Sequence, residues 1–355
     1  MTSFLPTLTV NLLALTANYR LLKNTHAKKS IAAVVKANAY GLGVKNVSLA
    51  LWAEGCRDFF VATLAEAIEL RAILPKAKIG VFQGLLAGEE TEYIHHCLTP
   101  VLNEVSQIER YLPLQEKIAD LAIHIDTGMT RLGICESDLK NPIISKIKAQ
   151  NSLLILSHLA CANEQSHPKN HEQLERFHVA LKYFTNAKAS FANSSGVFLP
   201  PEFHFDIART GCALYGITPT DDVNPMQPVA TLSAPILQIR TLDRDETIGY
   251  GATVSAKKGS SIAIIALGYA DGYFRILSNQ GFAFVSGHKV PLLGRVSMDM
   301  IALDISNIPE SQITAKIRAE FINNQQTVDD IATQCKTIGY EIFTNIGNRV
   351  QRIYI

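Results

Sequence analysis

Short apolar runs alternate with amphipathic stretches through the first ~220 residues of the chain. The runs are SIAAVV, FFVATL, KIGVF, LTPVL, LAIHID, LLILSH, ASFAN and HFDIA. Continuous apolar runs of this length, bounded by turn-forming residues, predict strands buried on both faces. Between them lie segments with helical spacing, such as VKNVSLALWAEG, LAEAIELRAIL and NHEQLERFHVALKYFTN. Strand then helix, repeated about eight times, predicts a (β/α)8 TIM-type barrel. Ahead of the first run, LTV reads as a strand and LLALTANYRLLKN as a helix.

Near residue 218 the texture changes. TPTDDVNPMQPV carries three prolines and adjacent aspartates, the composition of a connector. Beyond it come runs rich in β-branched residues: APILQIRTL, SSIAIIAL, FAFVSG, VPLLGRV and MIALDIS. These predict a mostly-β C-terminal domain. One helix is expected late, over TVDDIATQCKTIG, capped by Thr327 with Asp330 three residues on and stopped at Gly339. The expected division is a barrel over 1–222 and a β-rich domain over 223–355. The residues before about 10 are candidates to pack on the second domain.

Composition narrows the class without naming a chemistry. The chain has 355 residues, 47% of them apolar, with a formal net charge of +1. No Lys/Arg run of the kind that tracks a nucleic-acid backbone is present. The six cysteines show no CxxC pair and no metal-ligand spacing, so they read as small buried hydrophobes in a reducing compartment and no metal is expected. No apolar run approaches bilayer length, and the N-terminal segment lacks the pattern of a secretory leader. The expectation is a cytoplasmic enzyme.

Candidate chemistry begins at AVVKANAYGLG. Lys36 follows an apolar strand, at the end where α/β barrels place their active sites. A lysine in partly desolvated surroundings has a lowered pKa and forms a Schiff base with an aldehyde, and pyridoxal phosphate is the common aldehyde cofactor. Phosphate is commonly bound after strands seven and eight. Here those strand ends read FANSSG and DIARTGCALYG, supplying small hydroxyl residues and glycines.

Together with these, HIDTGMTRLGI, SHLA, IGYGATV, ALGYADGY and GRVSMDM resemble the alanine racemase family, fold-type III pyridoxal-phosphate enzymes, in the family's order over nearly the whole chain. The resemblance implies a pyridoxal 5'-phosphate enzyme that interconverts L-alanine and D-alanine, a peptidoglycan precursor, through an external aldimine. It implies a homodimer whose active sites are completed by the partner's second domain. Lys36 matches the lysine of the internal aldimine. Tyr40, Ser194, Gly211, Cys212 and Tyr340 match phosphate contacts, with Asn193 beside them in the cofactor site. Arg209 matches the residue facing the pyridine nitrogen, and His158 the one supporting that arginine. Arg131 matches a residue near the cofactor's phenolic oxygen and the substrate carboxylate. Tyr250 of the partner subunit matches the second base, and Met298, also from the partner, a backbone N–H donor to the substrate carboxylate. Tyr269, Arg275 and Arg295 match residues of the access corridor.

Two positions depart from the family pattern. His124 stands where some members carry a carbamate-modified lysine that orients the arginine matched by Arg131, so a bound anion or the imidazole itself must do this. Ser297 stands where cysteine is common, which is tolerable because the neighbouring N–H is the useful group. Two bases on opposite faces suit racemisation: Lys36 for the D face and Tyr250 for the L face, both with reference pKa values near ~10 that must be tuned. A guanidinium at the ring nitrogen only donates, which argues against a decarboxylase of the same fold. The alternatives are a racemase of another small amino acid such as serine and a non-catalytic pyridoxal-phosphate-binding barrel. From sequence alone, Arg209 could also be a salt-bridge partner of Asp206, and Arg131 a charge at a helix start.

Overall fold

In the computed structural model, residues 4–118, 120–147, 153–184, 186–313 and 317–355 are described. The chain divides into two compact units, one of residues 15–227 and one of 1–14 with 228–355.

The first unit is built on eight parallel strands: β2 (Ile31–Val34), β3 (Asp58–Val61), β4 (Lys78–Val81), β5 (Thr99–Leu102), β6 (Leu121–His124), β7 (Leu153–Leu156), β8 (Lys188–Ser190) and β9 (Ala208–Thr210). They pair in the order β8-β7-β6-β5-β4-β3-β2-β9. This is the curled sheet of a nearly closed barrel. Its filling comes from alternate positions of several strands: Ala32, Val34, Phe60, Val101, Ala122, Leu156 and Ile207 form one buried cluster. Side chains at i and i+2 of a strand share a face, so the runs supply the inside and the outside of the barrel at once.

Helices cover the outside where the sequence has helical spacing: α1 (Leu12–Thr25) before the barrel, then α3 (Val44–Ala53), α4 (Leu64–Ile73), α5 (Glu90–His95), α6 (Val105–Tyr111) and α7 (Pro168–Leu181). The expected strand–helix alternation is incomplete. Among the described residues, β6 and β8 are followed only by short 3-10 turns. Residues 126–141 bring two glycines at positive φ, an Asn and several polar groups where a helix would need an apolar stripe. The eighth strand also lies later than the HFDIA run, at Ala208–Thr210.

The second unit is antiparallel β. Its strands are β1 (Thr7–Val10), β10 (Ala230–Thr241), β11 (Glu246–Thr247), β12 (Ser255–Ala256), β13 (Ser261–Ile265), β14 (Phe282–Val285), β15 (His288–Leu293), β16 (Ile301–Asp304), β17 (Arg318–Ile322) and β18 (Gln351–Tyr354). The long β10 pairs with β17 and with β13, closing the ring β13-β16-β15-β14-β17-β10. Closure removes free edges on six strands. On β10, β1 adds in antiparallel register, Thr7 opposite Ser233, and β18 pairs parallel to β1.

Two helices follow, α8 (Val328–Cys335) and α9 (Gly339–Thr344). The expected capping box is present: Thr327 accepts from the Asp330 N–H at 3.2 Å and Asp330 accepts from the Thr327 N–H at 2.7 Å. The stop is not at Gly339. Lys336 ends α8 in left-handed backbone (φ 56°), and Gly339 opens α9.

Candidate active site

The lysine stretch does not continue β2. Lys36 begins a five-residue turn, α2 (Lys36–Tyr40), in which Ala37, Asn38, Ala39 and Tyr40 all hold positive φ, between 52° and 56°. Gly41 follows at φ 83°. The turn is therefore a left-handed helical turn of residues that carry Cβ atoms, a conformation costing ~1–2 kcal/mol per residue. It closes with helical bonds, from the Ala39 N–H to the Val35 oxygen (2.9 Å) and from the Gly41 N–H to the Ala37 oxygen (2.8 Å). Asn38 Oδ1 accepts from the Val44 N–H at 2.7 Å, locking the turn onto the start of α3.

Lys36 is half-buried, and among the described residues its ammonium has no hydrogen bond or ion pair. Burial pushes its pKa down, the Arg131 charge pushes the same way, and Glu66 opposes them. The unprotonated, nucleophilic amine is thus more accessible than in a free lysine.

Around it the ends of other strands supply cations. Arg209, on β9, is buried, and burial brings its pKa down to about 9, so it stays protonated at neutral pH. It does not pair with Asp206, which instead holds Lys28 at 2.6 Å and the Ala189 N–H at 2.8 Å. Arg209 donates to the Ser190 backbone oxygen (2.9 Å), to Ser190 Oγ (2.6 Å) and to the Ser157 backbone oxygen. Ser157 and Ser190 are thus its anchors, and neither was expected. Backbone carbonyls have no sequence signature.

His158 lies two residues past the end of β7 rather than on it. Burial and the Arg209 charge hold it neutral, well below the ordinary imidazole range. No hydrogen bond joins it to Arg209 among the described residues; its backbone oxygen accepts from Gln173 at 2.9 Å.

His124 ends β6, and its pKa is lowered to about 3, by burial first and then by Arg209 and Arg131. Its tautomer is fixed from outside. The Asn103 amide nitrogen donates to the Phe82 and Val101 oxygens, both at 2.8 Å, which leaves Asn103 Oδ1 as acceptor for His124 Nδ1 at 2.9 Å. The Nδ1 of a neutral ring must then carry the proton, and Nε2 presents a lone pair.

Arg131 starts no helix. It sits exposed at the end of a turn nucleated by Asp126, whose Oδ1 accepts from the N–H groups of Gly128, Met129 and Thr130 at 2.9–3.1 Å. Burial opposes ionisation of Asp126, yet these bonds hold its carboxyl below the ordinary range. The Arg131 guanidinium has no partner among the described residues, and its charge reaches Lys36, His124 and His158.

The two expected phosphate segments meet. Ser194 Oγ accepts from the Gly211 N–H at 3.0 Å and the Ala213 N–H at 3.3 Å. A Cβ on Gly211 would strike the Tyr40 hydroxyl, so glycine is required for this approach. The Tyr40 ring packs on Tyr215 with centroids 4.7 Å apart. Asn193 shapes the loop, accepting from the Gly196 N–H at 2.9 Å and donating to the Leu159 oxygen at 3.2 Å. Cys212 is buried beside Gly211 and opens a short 3-10 turn.

The comparisons with known proteins agree with one another. Residues 10–219 match the alanine racemase N-terminal domain, and residues 229–354 the alanine racemase C-terminal domain. The chain belongs to the alanine racemase family. An alanine racemase of Rickettsia africae (strain ESF-5) is 43% identical over 355 residues, covering 98% of this chain and 99% of its own. The crystal structure of alanine racemase from Bartonella henselae with covalently bound pyridoxal phosphate superposes with TM-score 0.91 at 38% identity, covering 99% of each chain. The biosynthetic alanine racemase from Pseudomonas aeruginosa gives 0.89 at 34% identity, over 99% of this chain and 100% of that one.

The remaining expected residues of this racemase lie in its β unit. Tyr250, 72% exposed, sits on a turn between Gly249 and Gly251, both at positive φ. The Arg295 guanidinium lies against Gly251. Tyr269 and Met298 are brought together: the Tyr269 N–H donates to the Ser297 oxygen and the Ala270 N–H to the Met298 oxygen, each at 3.0 Å. Arg349 ties the same two loops, holding Asp271 at 2.9 Å and Asp299 at 2.8 Å. Ser297 Oγ donates to the Met300 oxygen at 2.7 Å, so the serine closes its own turn. Arg275 opens a short 3-10 turn, and Tyr340 lies in the first turn of α9.

The barrel residues fit pyridoxal phosphate. The lysine amine is unpartnered, the glycine–hydroxyl cradle would be filled by any Cβ at position 211, and the surrounding charges are cationic, as an anionic phosphate and carboxylate require.

Proposed function

We propose that the chain interconverts L-alanine and D-alanine with pyridoxal phosphate, using two bases: Lys36 of one subunit and Tyr250 of the partner subunit. The observation that carries this reading is the Lys36 amine, unpartnered among the described residues and depressed in pKa, on a left-handed turn at the barrel end that also carries Arg131 and Arg209. Bound there, pyridoxal phosphate supplies an electron-accepting ring that stabilises negative charge at the substrate Cα.

The residues divide the remaining work. Tyr40, Ser194, Gly211, Cys212 and Tyr340 would hold the phosphate, with Asn193 and His158 shaping the site. Arg209 would face the ring nitrogen, and because a guanidinium only donates, it would favour keeping that nitrogen unprotonated. Lys36 Nζ takes or returns the Cα proton on the D face, and Tyr250 Oη of the partner subunit does so on the L face. Arg131 and the backbone N–H of Met298 orient the substrate carboxylate. Tyr269, Arg275 and Arg295 line the way in.

A homodimer is supported by what the β unit exposes in the single chain. Tyr250, Tyr269, Met298 and Met300 are 72, 43, 52 and 46% exposed, a set suited to cover by a second copy. The six cysteines are unpaired, which supports a reducing, cytoplasmic setting.

The test is direct. With pyridoxal phosphate added, the protein should racemise alanine faster than serine, and borohydride should fix the cofactor to the peptide bearing Lys36. A label on another lysine defeats the assignment. Tyr250→Phe should slow Cα–H exchange from L-alanine more than from D-alanine. Mixing inactive Lys36→Ala chains with Tyr250→Phe chains should restore part of the activity. No recovery despite subunit exchange would overturn the shared site.

A further inference from the structure

Left-handed backbone over four residues with Cβ atoms persists only where other groups over-determine it. Most restraints on the lysine turn are local, made by residues 35–44 among themselves. Others come from elsewhere: the Val35 N–H donates to the Phe60 oxygen at 2.9 Å, the Tyr40 ring packs on Tyr215, and a carboxylate reaches the peptide next to the lysine. Glu66 Oε1, on the first turn of α4, accepts from the Ala37 N–H at 2.7 Å. That N–H belongs to the peptide joining Lys36 to Ala37, so its direction sets the plane from which the lysine side chain departs.

The other carboxylate oxygen is anchored. Glu66 Oε2 accepts from the Ala62 N–H at 2.8 Å and the Thr63 N–H at 3.2 Å, while Thr63 Oγ1 accepts from the Glu66 N–H at 3.2 Å. The Thr63–Glu66 pair is a capping box. Capping α4 needs only the bond back to the Thr63 N–H. The bond to Ala37 is additional, and it ties the end of β2 to the end of β3.

We propose that Glu66 is a positioning residue: its carboxylate, anchored at the start of α4, clamps the Lys36–Ala37 peptide in the left-handed turn and so aims the Lys36 amine. The inference rests on Lys36 being the cofactor lysine. Two charges act on that amine, Arg131 and Glu66. Glu66 is the one that favours its protonated form.

The isostere is the informative variant. Both oxygens of Glu66 accept from N–H groups, and a glutamine can accept at only one, turning its NH2 toward a donor on the other side. Glu66→Gln should therefore weaken pyridoxal phosphate binding by about 10- to 100-fold, the worth of one charge-assisted bond. In the cofactor-free protein it should also move the pH midpoint for modification of Lys36 by a small amine-directed reagent to lower pH, because a negative charge beside the amine is lost. Adding Ala37→Gly should recover part of the cofactor affinity, since glycine takes left-handed backbone without steric cost. Thr63→Ala, which removes the cap and leaves the Ala37 bond, should lower thermal stability while keeping most of the affinity.

Unchanged affinity and an unchanged Lys36 midpoint in folded Glu66→Gln would overturn the proposal. So would a failure of Ala37→Gly to recover affinity together with Thr63→Ala reproducing the full loss. If borohydride labels no lysine in the unaltered chain, the functional reading fails, and the midpoint shift still reads the Glu66 clamp on its own.

Discussion

The two mouths of the barrel obey opposite rules. At the start of the strands, Lys28, Lys78 and Lys188 alternate with Asp58, Asp120 and Asp206 around a cavity of about 370 Å³. Lys28 pairs with Asp206 at 2.6 Å and Lys78 with Asp120 at 3.7 Å, while Asp58 feels the charges of Lys78 and Lys188. This rim is neutral. At the strand ends, Lys36, His124, Arg131, His158 and Arg209 gather without a balancing set of carboxylates. Glu66 and Asp126 are there, but each is taken up by backbone N–H groups. One scaffold thus carries a self-compensated end and an end whose charge is left for a ligand. A rim with its counter-ions built in has nothing to attract, whereas Arg131 and Arg209, left without carboxylate partners among the described residues and beside two neutral imidazoles, focus a positive field on whatever anion enters.

The sharpest way to break this comparison is at Lys36. Lys36→Ala should lower racemisation at least about 10³-fold, as removal of a group that handles the reacting proton does. Phosphate binding by the remaining cations should survive, measured by competition with inorganic phosphate. Residual activity within tenfold of the unaltered protein would mean that the strand-end mouth is not where the chemistry occurs.

Acid distinguishes the ends next. His26, behind the neutral rim, stacks on His204 with centroids 4.9 Å apart and is held neutral, by burial first. His124 and His158 are held neutral at the other mouth, His124 down to about pH 3. All three have folded pKa values below the unfolded one, so the unfolded chain binds more protons below about pH 6.5. Their contribution is complete above that pH and is lost as pH falls through the folded values. Stability of the cofactor-free protein should drop below about pH 6.5, with a slope approaching ~1.4 kcal/mol per pH unit for each of His124 and His158, and His26 acting in the same direction. Urea unfolding at several pH values checks this, and His124→Asn should remove one ring's share. A flat profile from pH 7 to 5 would contradict the burial of uncompensated groups at either end.

Arg209 separates stability from binding. It is a buried charge without a carboxylate, so its desolvation is already unfavourable in the cofactor-free protein. Arg209→Met relieves that cost but strands the Ser157 and Ser190 acceptors, and the two effects oppose each other. Urea unfolding should therefore change by less than ~2 kcal/mol. Pyridoxal phosphate affinity should fall by about 10- to 100-fold. A loss of ~3–5 kcal/mol, as for truncation of a paired buried charge, would place Arg209 with the self-compensated rim instead.

How much of this was legible in the residues follows from what leaves a pattern. The barrel strands were, because a strand buried on both faces must be a continuous apolar run. The placement of Lys36 just past β2 and of Gly211 just past β9 was, because each follows an apolar run; the roles given to them, to Ser194 and to Arg209 come from the resemblance and stand as proposals. The Thr327–Asp330 box was readable from spacing alone. The left-handed turn at 37–40 was not: ANAY holds no glycine, and nothing local announces positive φ for Ala or Tyr. Its cause is tertiary, in Glu66 and the contacts of Asn38 and Tyr40. Glu66 itself reads as an ordinary N-terminal helix residue. The helices expected after β6 and β8 were over-read from repetition: among the described residues those crossovers hold only 3-10 turns, and the stretch after β6 carries glycines at positive φ and polar groups where an apolar stripe would be needed.

The smallest expected effect is at the neutral rim, and it is the control for everything above. Lys78 sits 3.7 Å from Asp120 with its side chain 59% exposed, so solvent screens the pair and the lysine loses conformational freedom in making it. Such pairs contribute ~0–1 kcal/mol. Lys78→Met should shift urea unfolding by no more than about that amount and leave kcat and KM for alanine unchanged. The aliphatic part of the lysine is kept by methionine, so any shift reports the charge. The rim and the strand-end mouth share strands, including β4 next to β3, so a kinetic loss in Lys78→Met would mean that charge at one end reaches the reacting amine through the barrel. The division of the barrel into a structural end and a chemical end would then not hold. An unchanged kcat with a salt-dependent change of a few tenths of a kcal/mol in stability, about what an exposed pair shows, would confirm that the rim acts only on itself.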